Sequence, residues 1–234
     1  AMYCVAFMSG ADNGGGRWAA NALFSPLSWS VDNQNPLQFA EQFVRRFPHE
    51  PMKAGAWLFT DRTPLLTLLL VIPQTLFVHP LAAIFGLDFA YQGDSVAAVT
   101  ILAIWMPVLL WLVAKMRLSN PLLVLAITSI SPFVLFNTIY TWGKILGAAY
   151  VILAVGLVLC ATDDVDEGRP NLALIPAALA LAYLSHAGNA IGAAAFFIVF
   201  APTLRLRDAK ILLAGTAAGL LVMAPWMYWT QVIQ

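Results

Sequence analysis

The sequence predicts an all-α fold: a polytopic transmembrane helical bundle behind a polar N-terminal segment. Three observations predict it. Six stretches, roughly 63–87, 95–114, 118–143, 145–162, 170–204 and 211–234, hold no Asp, Glu, Lys or Arg. Hydrocarbon tolerates charge poorly, so charge-free blocks of this length mark where a bilayer can be crossed. Hydrophobic residues make up 61% of the chain and charged residues 10%, against about 45–50% and about 25% in soluble domains. Nearly all of the charge lies between the blocks or in the first 62 residues.

The elements follow in order. Ala1–Met8 is apolar but too short to cross, and is expected to be the end of a truncated transmembrane helix. The tryptophan-rich end of the chain likewise reads as a fragment whose later part is missing. Residues 9–62 carry Trp18, Phe24, Trp29, Phe39, Phe43, Phe47, Trp57 and Phe59, too many aromatics for a disordered tail. Within them Asn35 and Pro36 read as an N-cap and first helical position. Leu37, Ala40, Val44 and Phe47 then recur at helical spacing, with Gln38, Glu41, Gln42, Arg45 and Arg46 on the other face. The spacing predicts a short amphipathic helix over 36–47, of the kind that lies in a membrane interface, ended by Pro48. Gly14-Gly15-Gly16 reads as a flexible turn, with a loop that hugs a phosphate as the alternative.

The segment 63–80 is ambiguous. Pro73, Gln74, His79 and Pro80 favour a half-crossing or an interfacial course, which leaves 9–62 outside the cytoplasm; a full crossing would put them inside. From 63 to 234 a transmembrane bundle is expected, with firm spans about 96–114, 121–139, 143–161, 171–185, 188–204 and 210–227. Pro107, Pro132 and Pro176 fall inside spans, where neighbouring helices can satisfy the freed backbone groups. Frequent Ala and Gly from Gly143 to Gly219 suit close helix packing in lipid. Lys115 and Arg117, and four spans later Arg205, Arg207 and Lys210, fall on one side, which their charge makes cytoplasmic. The acidic loop 162–169 shares that side. Asn137–Lys144, Ser185–Asn189 and Trp226–Gln234 fall on the opposite one.

Few residues offer chemistry. Asp32, just before the amphipathic helix, is a candidate general base if its aromatic surroundings raise its pKa; its plain alternative is a solvated loop carboxylate. Arg62, in Asp61-Arg62-Thr63-Pro64, is placed to clamp a lipid phosphate, or merely marks the interface with Asp61. Lys144, the lone charge between 118 and 162, is a functional candidate or a snorkelling anchor. His186 sits in a turn on the side of Lys144 and is otherwise an ordinary polar turn residue. The two cysteines, Cys4 and Cys160, and the three histidines show no metal spacing. No soluble-enzyme motif is present, and zero net charge gives no reason to expect nucleic acid as a partner.

This order of features resembles the GT-C superfamily of membrane glycosyltransferases, particularly the aminoarabinose and protein-mannosyl transferase relatives that use polyprenyl-phosphate sugars. The resemblance is carried by Asp32-Asn33-Gln34, then Pro36–Phe47, then Asp61-Arg62-Thr63-Pro64-Leu65. Phe85–Phe89, NTIYTWGKILG at 137–147, AYLSHAGN at 182–189 and APWMYWTQ at 224–231 look like bacterial members of the group. It implies that 9–62 form an extracytoplasmic loop, that Asp32 is the catalytic base, and that Arg62 binds the lipid phosphate with Lys144 and His186 as further phosphate-side candidates. The implied partners are a polyprenyl-phosphate-linked sugar, a glycan, lipid or protein acceptor, and membrane lipids. The implied location is the bacterial inner membrane. Many relatives carry a second acidic residue in the next extracytoplasmic loop, where this sequence has Asn137, Thr138 and Thr141. Asp12 and Asp61 are the possible substitutes, and a metal held by two carboxylates is not expected, so no cofactor is assigned. The rival class is a non-catalytic or transport-type membrane subunit, which should show paired repeats with broken helices.

Overall fold

The computed structural model describes residues 35–45, 53–54, 57–59, 62–85, 87–140, 142–163, 169–200, 202 and 206–233. These are helical apart from turns and a two-residue antiparallel ladder, β1 (Lys53–Ala54) with β2 (Trp57–Leu58), in which Lys53 faces Leu58. The chain divides into two compact units, Ala1–Ala103 with Ser129–Ile145, and Ile104–Thr128 with Leu146–Gln234.

In the first unit, α1 (Asn35–Arg45) falls on the helix expected over 36–47, of which 46–47 lie outside the described residues; it buries Leu37, Phe39 and Ala40, while Gln38 stays exposed. The apolar face is taken up by protein. Phe59 is buried and meets Phe39 and Phe43 edge-to-face, at centroid distances of 5.2 and 5.1 Å, a geometry that aligns ring edges with ring faces. This cluster sets α1 against α2 (Leu65–Pro73). A π-helical turn, Gln74–Val78, and α3 (His79–Phe85) continue α2 into one apolar helix, Leu65–Phe85. The wide turn lies between two prolines. Pro73 and Pro80 donate no backbone hydrogen bond and crowd the preceding turn, and the His79 N–H reaches back to the Gln74 carbonyl instead. Next, α4 (Leu87–Leu102) returns along this helix and buries Ala98, Val99 and Leu102.

In the second unit, α5 is Trp105–Lys115 and α6 is Pro121–Ile130, whose last two residues belong to the first unit. After α7 (Pro132–Ile139, in the first unit) comes α8 (Lys144–Asp163), nearly all of it in the second. A 3₁₀ turn, Arg169–Leu174, leads to α9 (Ile175–Ser185), and α10 is Asn189–Phe200. The last long helix is α11 (Leu206–Tyr228), packed on α9 and the 3₁₀ turn. The core joins Leu157, Val158, Leu172, Ile175, Leu179 and Phe196.

Among the described residues four helices are long and apolar enough to cross a bilayer: Leu65–Phe85, Val96–Lys115, Lys144–Ala161 and Asp208–Gln231. They mark an integral membrane protein. Three lie on expected spans. The others differ for reasons of backbone chemistry. The span expected at 121–139 is two helices bent by 70°. Ser131, preceding Pro132, is forced out of the helical region to ψ 126°. The spans expected at 171–185 and 188–204 hold only the shorter helices Asn171–Ser185 and Asn189–Phe200. Pro107 and Pro176, like Pro132, sit in the first turn of a helix, where no amide donor is needed.

Small residues let the helices of the second unit approach. A Cβ on Gly215 would collide with the backbone carbonyl of Ala173, whereas one on Gly192 would meet Val151 at an ordinary 3.4 Å. Gly215→Ala should therefore lower the apparent melting temperature in detergent, at about 1–3 kcal/mol for overpacking against rigid backbone. Gly192→Ala should change it little. Equal behaviour of the two variants would exclude a tight contact at Gly215.

Candidate functional site

Most polar side chains on the apolar helices satisfy themselves. Asn137 Nδ2 donates to the Phe133 carbonyl at 2.8 Å, Thr138 Oγ1 to Val134 at 2.8 Å and Ser185 Oγ to Leu181 at 2.7 Å, each one turn back along its own helix. Thr100, Thr128 and Thr216 do the same. Groups closed in this way demand nothing from a ligand.

Gln74, Asn35 and Asp94 of the first unit break that pattern. Gln74 is fully buried, and neither atom of its carboxamide completes a hydrogen bond. Asn35 Nδ2 and Asp94 Oδ1 are likewise buried and unpartnered. An orphaned buried polar atom costs about 1–3 kcal/mol, so each calls for a reason. Gln74 sits in the π-helical turn, and such turns concentrate at functional sites. Asp94 lies on α4, ahead of the span Val96–Lys115. Burial pushes its carboxyl up to about 7; the Gln74 amide opposes the rise without a well-aligned bond, and the negative charge of Glu41 adds to it. Glu41 is on α1, ion-paired to Arg45 at 2.6 Å. Three elements, α1, the π turn and α4, thus bring their polar groups to one place. A carboxyl that titrates near neutrality can both give and take a proton.

The residues singled out from sequence fare differently. Asp12, Asp32 and Asp61 lie outside the described residues. Arg62 is half-buried just ahead of α2, and its backbone N–H donates to the Phe59 carbonyl at 3.2 Å, which ties it to the aromatic cluster. Lys144 opens α8, is exposed, and holds its ammonium 3.7 Å from the centroid of the Trp142 ring. Trp142 continues a series of ring contacts through Tyr140 to Phe136. Such a cation–π seat suits an interfacial anchor. His186 belongs to the second unit, and its Nδ1 accepts from the Gly188 N–H at 3.0 Å, a local turn bond. Arg62 and Lys144 thus share a unit that excludes His186. Among the described residues no three His, Cys, Asp or Glu side chains gather as metal ligands.

Sequence reasoning passed over Asp94 and used Gln74 only as a sign of incomplete crossing. A usable signal was there: one acid immediately before a charge-free block, and one amide wedged between prolines in another. No family model matches the chain, and no curated protein or solved structure does. The site therefore rests on packing and chemistry alone.

The raised carboxyl of Asp94 has a consequence for stability. In the unfolded chain it titrates near 3.8 and in the fold near 7, so the folded state holds the extra proton between those values. Its contribution is complete below about pH 4 and is lost as pH rises through 7. Melting between pH 5 and 8 should show falling stability for the parent chain. Asp94→Asn should flatten that slope and match or exceed the parent at pH 8. An unchanged slope would exclude Asp94 as its source.

Proposed function

We propose that this chain is a membrane glycosyltransferase, or the membrane part of one, that moves a sugar from a polyprenyl-phosphate donor to an acceptor hydroxyl on the extracytoplasmic face. The packing of α1 on the apolar helix Leu65–Phe85 supports this best. That helix has the length to cross a bilayer, about 31 Å at 1.5 Å per residue. Yet α1, with its Glu41–Arg45 pair, packs along its first part as far as the π turn at Gln74. If the whole helix crossed, that charged pair would lie near mid-bilayer, at a cost of several kcal/mol. Along its length the helix exposes Leu68, Ile72, Leu76, Phe77, Ile84 and Phe85, a surface suited to lipid. A helix that does not cross fully, with α1 and Arg62 at the interface, keeps that pair out of the hydrocarbon. This is the arrangement that the resemblance requires, with 9–62 on the extracytoplasmic side.

The chemistry follows from these positions. The donor enters from the bilayer with its phosphate against the Arg62 guanidinium, whose fork of donors fits phosphate oxygens. Lys144 is a further cation of the same unit, and His186 is a weaker candidate. Asp32 takes the proton from the acceptor hydroxyl. The new bond joins the acceptor oxygen to the anomeric carbon as the bond from that carbon to the phosphate oxygen breaks. The polyprenyl phosphate leaves with the electron pair, and Arg62 offsets the charge. Asp94 supplies a second carboxyl in the unit that carries Arg62, where the sequence offered only Asp12 or Asp61. The leaving group is already activated, so no nucleotide is consumed.

Gln38 is exposed on α1 and provides the topological test. A single cysteine there should react with a membrane-impermeant maleimide added to intact cells; protection until the cells are opened would reject the proposed orientation. Asp32→Asn should abolish sugar transfer from a polyprenyl-phosphate donor while the protein still inserts. Full activity in that variant would remove Asp32 from the mechanism.

A further inference from the structure

The second unit carries a separate feature at the end of α5. Trp111, Ala114, Lys115 and Arg117 line an open cleft of about 310 Å³. Its parts are held in place. The Trp111 ring packs over Gly156, where any side chain would collide with it, so the ring forms a fixed wall. The chain then reverses sharply. Arg117 takes φ 55°, and it is the one non-glycine residue with positive φ among those described. Its N–H donates to the Ala114 carbonyl at 3.0 Å, and the Met116 and Leu118 N–H groups reach Leu112 and Val113. The helix-end carbonyls are thereby occupied. The left-handed backbone costs an arginine about 1 kcal/mol or more, a strain that glycine would avoid.

Lys115 and Arg117 are both exposed, and among the described residues neither has an acidic partner. Around them Met116, Leu118, Leu122 and Leu123 are exposed as well. Two cations, an indole wall and an apolar apron at the end of a membrane span match one kind of ligand. We propose that this cleft binds the headgroup of an anionic phospholipid, with the phosphate between Lys115 and Arg117 and the acyl chains against the apron. The lysine and arginine distribution assigns this end to the cytoplasmic leaflet, whose anionic lipids attract such clusters. A free phosphate would use the cations and leave the apron bare. This binding is independent of the transferase reaction.

The test is lipid retention, read by native mass spectrometry on the purified chain in detergent with added phosphatidylglycerol or phosphatidylcholine. Phosphatidylglycerol should be retained preferentially, and Lys115→Gln with Arg117→Gln should weaken it about tenfold or more. Arg117→Gly removes one cation and the backbone strain together. It should therefore melt no lower than the parent and still retain less phosphatidylglycerol. Lys210→Gln, at an exposed lysine outside the cleft, should leave retention unchanged. Equal retention of the two lipids, no loss in the double variant, an equal loss in Lys210→Gln, or displacement of phosphatidylglycerol by millimolar glycerol phosphate would each overturn the proposal.

Discussion

A polar atom inside an apolar bundle has two fates, and the organisation of this protein depends on which it meets. It can bond to its own helix, at no cost to the packing around it, or it stays open and carries a penalty that something else must remove. Asn137, Thr138 and Ser185 take the first course by donating one turn back. Gln74, Asp94 and Asn35 do not. The difference is geometric. A hydroxyl, or a short amide directed down the helix, reaches the carbonyl four residues earlier, whereas the Gln74 carboxamide is turned toward a neighbouring helix and the half-buried carboxyl of Asp94. Orphaned atoms in one compact unit therefore separate a candidate site from ordinary polar decoration.

Helix termination follows an equally simple constraint. Proline removes a donor and restricts the residue before it, so in a chain this apolar it is the main punctuation. Pro132 splits one expected span into two helices, and Pro73 and Pro80 bracket the π turn that presents Gln74. In lipid a freed carbonyl has no water to turn to. Breaks therefore persist only where the local geometry or a neighbour closes the backbone, as the His79 N–H does at Gln74.

The membrane class was legible because absence of charge is a one-dimensional property. Counting Asp, Glu, Lys and Arg along the chain locates the spans Val96–Lys115 and Lys144–Ala161 within a residue or two. The amphipathic helix was legible for a related reason, since its period shows in the order of residues. What covers its apolar face was not. The sequence pointed to lipid, and the structure covers Leu37, Phe39 and Ala40 with protein. Pro132 was legible inside an expected span, but the 70° bend beside it was not, because a count of charge along the chain carries no backbone geometry. The Asp94 environment was out of reach, because Glu41, Gln74 and Asp94 are distant in the chain and come together only through packing.

Depth in the membrane is where these strands of chemistry meet. A 21-residue apolar helix, taken alone, is a span. Charge on a neighbouring helix bears on that conclusion, because holding the Glu41–Arg45 pair at the bilayer centre would be costly. Either the pair is drawn into hydrocarbon or the apolar helix is drawn toward the surface. The exposed apolar side chains are Leu68 and Ile72 before the π turn, and Leu76, Phe77, Leu81, Ile84 and Phe85 after it. The second group is the larger, and the first is not covered. Asp94 shares the level of Gln74, and near the headgroups a carboxyl that titrates close to 7 can exchange its proton with water. At mid-bilayer the same group would have to stay neutral.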